Sequence, residues 1–351
     1  MPVPSQARRL SCVLAAALTF ALSACGTGDD SDAPGPSSDR TGLSEDSAST
    51  PSREAQAFVL GDAWAPGGGR EQVPIWPGEP PDARVMDGPE VTGHGSEEVA
   101  GRPWTYADRV ATPTVTVYAA GRPEAESAEP GPAVVVLPGG GYNVVAMDLE
   151  GTEACDWLTG IGVTCVLLKY RAPCEIVRPY RNCPTAHQDA QRAVRLVRSR
   201  AAEWGIDPDR IGVLGFSAGG HMVATISTQY DEPLYPPVDE VDETSARPDF
   251  AMVLYPGHLA VEGFGFVLNP AVRVTAETPP TFLVHAYDDP MDPVENTLVY
   301  ADSLRAAGVP TEVHVYATGG HAFGLRRTDA AVTAWPDRAE EWMRATGVLG
   351  Q

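Results

Sequence analysis

The stretch Ile211-Gly212-Val213-Leu214-Gly215-Phe216-Ser217-Ala218-Gly219-Gly220-His221 decides how this chain folds. Ile211 to Leu214 is a short, wholly apolar run, as expected of a strand buried on both faces. The Gly-Phe-Ser-Ala-Gly that follows breaks the strand, and a helix opens near Ala218. Gly215 and Gly219, two positions to either side of Ser217, permit a tight turn and close approach of neighbouring elements, which leaves the serine hydroxyl standing above the end of the strand. A serine between two glycines is weak evidence by itself. A buried strand before it and a helix after it are the context that makes such a serine a candidate nucleophile.

Upstream of that stretch, strands begin at about Val73, and Thr114 to Tyr118 alternates with a β period. Ala133 to Leu137 is another continuous apolar run. Gly151 to Leu158 is helical in character, Val163 to Leu168 is a buried strand, and Asp189 to Trp204 is an amphipathic helix stopped by Gly205. Ala193, Val194, Val197, Ala201 and Trp204 form its apolar stripe, while Arg192, Arg195, Arg198 and Arg200 are expected to face outward or flank it. Downstream come strand Phe250 to Tyr255, strand Thr281 to His285, helix Val294 to Ala306, strand Thr311 to Tyr316 and a last helix near Trp335 to Met343. Repeated strand-helix-strand units with apolar strands specify a mostly parallel sheet covered by helices on both faces. Ligands of such sheets bind at the carboxyl ends of the strands.

The polar motifs fall at those ends. Leu137-Pro138-Gly139-Gly140-Gly141-Tyr142 leaves the strand Ala133 to Leu137, and its glycines let backbone N–H groups approach a developing oxyanion with no Cβ in the way. The N–H of Ala218 is the natural second donor. A phosphate loop would need a Gly-Lys-Ser/Thr that does not follow here. A serine hydroxyl attacks only when a base takes its proton, and that base must be held by a carboxylate, in the order Ser, acid, His along such a chain. Strand Thr281 to His285 runs into Ala286-Tyr287-Asp288-Asp289-Pro290, and strand Thr311 to Tyr316 into Ala317-Thr318-Gly319-Gly320-His321. Either Asp288 or Asp289 meets the requirement for the acid, and His321 for the base. The remaining histidines do not: His94 and His187 precede Ser217, His221 lies in the helix after it, His258 precedes the acid, and His285 and His314 lie within strands.

Of 351 residues, 43% are hydrophobic and 21% charged, which suits one large globular domain. The formal net charge of -22 opposes phosphate backbones and anionic lipid surfaces, so nucleic acid is not an expected partner. Arg8 and Arg9 precede an apolar run, Leu10 to Leu22, that is too short to span a bilayer but suits a signal-peptide core. Leu22-Ser23-Ala24-Cys25-Gly26 resembles a bacterial lipobox, which implies residues 1–24 as a leader and Cys25 as a lipid-bearing residue. Residues 25–56 are dominated by Gly, Ser, Asp, Pro and Thr and read as a flexible acidic tether, with 57–351 as the catalytic domain. Cys174 and Cys183 bracket a short loop and are expected to pair in an oxidising compartment, contributing roughly 2–3 kcal/mol. Cys155 and Cys165, in a helix and the next strand, are expected to be buried free thiols. No CxxC or His pair lies at ligand spacing, so no metal is expected.

The phrases LPGGGY, GVLGFSAGGH, RPDF, TPPTFLVHAYDDP, VEN and GGHAFGLR resemble a bacterial α/β-hydrolase group, that of the acetyl xylan esterase-like and feruloyl esterase-like enzymes. The likeness runs from about Val73 to the C-terminus. It implies the α/β-hydrolase fold with little or no lid, a triad of Ser217, Asp289 and His321, oxyanion donors Gly140, Gly141 and Ala218, and no cofactor. It also favours Asp289 over Asp288, since the group's acid loop implies an acid four residues after His285 and four before Pro293. Two positions depart from the pattern. Lipase and esterase relatives begin the glycine run with His where this chain has Pro138, and valine often stands where it has Asp292. The expected reaction is hydrolysis of short acyl esters, chiefly acetyl, on a polysaccharide or oligosaccharide, through an acyl-enzyme. A feruloyl esterase, a peptidase or lactonase of the same fold, and a non-catalytic carbohydrate-binding lipoprotein are the rival expectations. Tyr142 and Phe323 flank the oxyanion and histidine loops and either wall a small acyl pocket or pack in the core. The membrane is expected to be met only through Cys25.

Overall fold

The apolar runs become the centre of one eight-stranded sheet. In the computed structural model residues 61–121, 129–177, 182–261, 263–264 and 266–350 are described. The expected leader, Cys25 and the tether lie outside them. In chain order the strands are β1 (Val73–Pro74), β2 (Val91–His94), β3 (Thr105–Asp108), β4 (Thr114–Tyr118), β5 (Gly131–Leu137), β6 (Thr164–Lys169), β7 (Ile206–Phe216), β8 (Phe250–Leu254), β9 (Thr281–Ala286) and β10 (Thr311–Tyr316). The helices are α1 (Glu153–Gly160), α2 (Pro184–Ser199), α3 (Ala218–Thr228), α4 (Glu295–Ala306) and α5 (Trp335–Ala345).

The sheet order is β1-β4-β6-β5-β7-β8-β9-β10. The strands β6, β5, β7, β8, β9 and β10 are parallel neighbours, and β4 alone is reversed, pairing antiparallel with both β6 and β1. Every residue of β6, β8 and β9 is buried, which is what strands covered by helices on both faces require. β10 is the edge strand and is half-buried throughout, with Val313 and Val315 exposed. Because β5 and β7 to β10 are parallel, their carboxyl ends share one edge of the sheet. The loops after β5, β7, β8, β9 and β10 therefore meet there.

Three expectations are corrected. Helix α2 begins at Pro184, five residues before the expected start, and Arg192 is buried rather than outward-facing. Its guanidinium is satisfied by Asp239 at 2.7 Å, by Asp242 at 2.9 Å and by the carbonyl of Ile75 at 2.8 Å, and a buried charge persists only with such partners. Cys155 and Cys165 are not free: α1 returns alongside β6, brings their Cα atoms to 5.1 Å and forms a disulfide. Cys174 and Cys183 form the second, as expected, with Cα atoms 6.0 Å apart. The passage from β8 to β9 contains no regular helix among its described residues, only turns and one isolated bridge, Ala260 to Leu268.

A separate two-stranded hairpin, β2 with β3, lies outside the main sheet. Arg326, just beyond the β10 loop, fastens it: its guanidinium donates to the carbonyls of Val99 (3.1 Å) and Arg102 (2.7 Å) in the hairpin and to both oxygens of Glu153 at the start of α1.

Candidate active site

Ser217 links β7 to α3 with φ 52° and ψ -118°, a left-handed conformation that a side-chain-bearing residue adopts only under constraint. The turn is forced by close packing, since a Cβ on Gly219 would collide with the carbonyl of Leu137. The Ser217 N–H donates to Leu254 O at 3.0 Å, and the N-terminal end of α3 lies directly behind the hydroxyl.

The loop after β10 brings His321 to this serine. The Ser217 hydroxyl donates to His321 Nε2 at 3.0 Å, and His321 Nδ1 donates to Asp289 Oδ2 at 2.7 Å. Asp289 Oδ1 accepts from the N–H groups of Met291 (2.9 Å) and Asp292 (3.0 Å). A second histidine also reaches this carboxylate: Nε2 of buried His285 lies 3.3 Å from Asp289 Oδ2 and 2.9 Å from Asp292 O, while Nδ1 accepts from Thr297. Asp288 does a different job. Its Oδ1 accepts the N–H groups of Gly319 and Gly320, both at 2.8 Å, and so holds the loop that carries His321 without touching the imidazole.

The charges follow from these contacts. Burial by itself would raise the Asp289 carboxyl, but the donors His285 and His321 outweigh it and hold the group well below the ordinary carboxylate range. Burial would lower His321, yet the carboxylates of Asp289, Asp292 and Glu150 prevail and raise it above the ordinary value of 6.5. Asp292 Oδ2 lies 3.8 Å from Nε2, the nitrogen that faces the serine.

At the end of β5 the N–H of Gly139 is already engaged, donating to Glu150 Oε2 at 2.7 Å. Gly140, Gly141 and Ala218 line a cavity of about 640 Å³ together with Ser217 and His321. Gly140, Gly141 and Tyr142 follow one another at positive φ, which turns the chain sharply around that cavity. Glu150 is wholly buried, and its other oxygen accepts from the Tyr255 hydroxyl at 2.8 Å. Tyr255 OH in turn accepts the N–H of Gly324 at 3.3 Å, and its ring meets His321 edge-on. One carboxylate thus links the loops after β5, β8 and β10. Burial raises the Glu150 carboxyl above its ordinary value despite these donors.

Tyr142 turns into the core, where its hydroxyl pairs with His221 Nδ1 at 2.7 Å beside His187, so it does not wall the cavity. Phe323 packs on Tyr255 and lines an adjoining cavity instead. The walls at the serine are Trp104, Leu149, Ile176 and Met291. Sequence reasoning missed Trp104, Glu150 and His285. The stretch Val144 to Gly151 carries two acids, Asp148 and Glu150, and nothing in the spacing singles out Glu150. Nothing local marked Trp104, which reaches the site from a hairpin far upstream.

Comparison with known proteins gives a consistent picture. A family model described as the alpha/beta hydrolase fold matches residues 134–325. An acetylxylan esterase of Xylanibacter ruminicola is 31% identical over 218 residues, spanning 56% of this chain and 42% of that protein. An endo-1,4-beta-xylanase B of Butyrivibrio fibrisolvens is 27% identical over 232 residues, 60% of this chain and 36% of that one. The chain thus spans less than half the length of these two curated relatives. The crystal structure of an acetyl ester-xyloside bifunctional hydrolase from Caldicellulosiruptor lactoaceticus superposes with a TM-score of 0.62 at 32% identity, covering 80% of this chain and 97% of that one.

Proposed function

The chain belongs to the alpha/beta hydrolase fold family, and from that membership we propose that it is a serine carboxylic ester hydrolase that removes short acyl groups, chiefly acetyl, from polysaccharide or oligosaccharide. The observation that carries this is the continuous relay of Ser217 Oγ, His321 Nε2 and Nδ1, and Asp289 Oδ2, opening into a cavity that Gly140, Gly141 and Ala218 also line.

In the proposed reaction His321 takes the proton of Ser217 as the oxygen attacks the ester carbonyl, and Asp289 holds the imidazole in the Nδ1-protonated tautomer and stabilises its charged form. The N–H groups of Ala218, Gly140 and Gly141 receive the oxyanion, with the α3 N-terminus adding its dipole. Gly139 is left out of that set because its N–H is spent on Glu150. His321 then returns the proton to the departing alcohol, and water repeats the cycle on the acyl-enzyme. An acetyl preference is supported by the small apolar lining that Val144, Ala146 and Leu149 provide, and by relatives named for acetyl ester hydrolysis. A long acyl chain would need a deep apolar channel to gain from burial.

Labelling with a fluorophosphonate and a panel of p-nitrophenyl esters beside acetylated xylan tests the proposal. Labelling at Ser217 with acetate cleaved fastest is expected. Activity rising from acetate to octanoate excludes the acetyl preference, release of ferulate but not acetate redirects the protein to feruloyl esters, and absence of labelling leaves the non-catalytic binder.

For localisation we infer export and anchoring through a lipid on Cys25, supported by Arg8, Arg9 and the apolar run Leu10 to Leu22 before Ala24-Cys25. Cys25→Ser is expected to move the protein out of the detergent phase on phase partitioning, and unchanged partitioning removes the anchor without touching the enzyme.

A further inference from the structure

We propose that the groove leading from His321 past Trp104 binds the alcohol portion of the ester, and that its ligand is a neutral sugar ring; this rests on the ester-hydrolase proposal above. Two cavities meet at the serine. The first, about 640 Å³, contains Ser217 and the oxyanion glycines; the second, about 590 Å³, contains neither. They share Trp104, Met291, His321 and Ala322. Reaction chemistry fixes which half of an ester occupies which. The carbonyl oxygen must sit among the oxyanion donors, whereas the leaving oxygen must accept a proton from His321 Nε2. The alcohol therefore lies on the histidine side, and the space that continues on that side is the second cavity.

Its wall is built before any ligand arrives. Trp104 stands immediately before β3, its indole N–H donates to Glu97 O at 3.1 Å, and one flank lies against Gly95. With its polar edge used, the ring offers apolar surface, which suits the C–H face of a pyranose. Arg326 holds the hairpin carbonyls on either side of the turn, so the ring keeps its place relative to His321.

The charges select the ligand class. Glu97 and Glu98 bring carboxylates to the groove, and these accept hydrogen bonds from hydroxyls. Arg326 is the groove's permanent cation among its described residues, and its buried guanidinium is committed to Glu153 and two carbonyls. A uronate or phosphate would find no partner, and a fatty alcohol would strip water from two carboxylates without replacing their hydrogen bonds. A polyhydroxylated neutral ring satisfies both constraints.

The test compares kcat/KM on an acetylated xylo-oligosaccharide with kcat/KM on ethyl acetate, whose alcohol has no sugar ring to lie on Trp104. In Trp104→Ala the ratio of the two should fall about tenfold, the scale of a lost aromatic anchor. Gly95→Ala should lower it similarly, because a Cβ there collides with the indole and displaces it. Trp104→Phe should retain most of it. Unacetylated xylo-oligosaccharide should inhibit ethyl acetate hydrolysis competitively, with Ki about tenfold weaker in Trp104→Ala. An unaltered ratio in all three variants, whether both activities fall together or neither does, overturns the subsite. Wild-type protein that cleaves ethyl acetate but not the acetylated oligosaccharide also overturns it while leaving the ester hydrolase standing. Activity on neither ester brings down the underlying proposal.

Discussion

His187 and His221 are held against Tyr142 of the oxyanion loop whereas His321 faces Ser217, and although burial lowers all three, their net shifts run in opposite directions. Behind the loop, His187 and His221 sit with Tyr142 and His258; burial pushes His187 down to about 4, and burial together with the neighbouring histidines pushes His221 well below the ordinary value. In front, His321 suffers the same desolvation but faces Asp289, Asp292 and Glu150, and is raised instead. The difference teaches that carboxylates aimed at the ring, rather than depth alone, make a base. It also splits the pH response. As pH falls from 6.5 towards 4, the unfolded chain charges its counterpart of His187 before the folded chain can, so stability is lost over that window. His321 works in reverse. Its contribution to stability is complete below the ordinary histidine value and is lost as pH rises through its raised value, while the neutral ring that catalysis needs appears over that same rise.

The comparison is broken most severely by removing the front relay. Ser217→Ala and His321→Ala should each reduce kcat by about 10³- to 10⁶-fold, and the double variant should be scarcely worse than either, because the groups act as a unit. Steady-state kinetics with p-nitrophenyl acetate decide it, and additive losses would mean that the two do not work together. Next in size is the pair of adjacent acids. Asp289→Asn should cost about 10²- to 10⁴-fold in kcat by favouring the wrong tautomer. Asp288→Ala, which frees only the N–H groups of Gly319 and Gly320, should cost about tenfold or less. The reverse order would reassign the acid. The smallest change sharpens the contrast: Asp292→Asn removes one of the three negative charges that raise His321, so the acid limb of kcat/KM should move to lower pH. A His221→Phe variant should leave that limb where it is while lowering the unfolding midpoint, since it leaves the Tyr142 hydroxyl only the longer contact with His187 at 3.4 Å.

How much of this was legible depended on whether the signal was local. The strands from Ala133 to Leu137, Phe250 to Tyr255 and Thr281 to His285 announce themselves as unbroken apolar runs, and the turn at Ser217 by small residues between a strand and a helix. Those placements alone put Ser217, the pair Asp288 and Asp289, and His321 at one edge of the sheet, and only the family resemblance chose between the two acids. What stayed hidden depends on long-range approach. The pairing of Cys155 with Cys165 follows from how α1 folds back on β6, which no spacing reveals. Arg192 lies on the buried side of α2 because Asp239 and Asp242, more than forty residues later, come to meet it. The hairpin β2 with β3 is short and half-buried, so its sequence carries little apolar alternation, and its place beside His321 is set by Arg326.

That arginine has a consequence for where the working molecule can be cut. A version trimmed to begin at β5 would keep the nucleophile, the acid and the base, and by sequence motif would look complete. It would nevertheless strip two carbonyl acceptors from a guanidinium whose side chain is only 3% exposed, far along the chain from the cut but five residues from His321. The loss would be felt as slack in the base as well as in the missing Trp104 wall. The early hairpin and the late histidine loop are therefore inherited as one part, and a graft that exchanges either should carry the other with it.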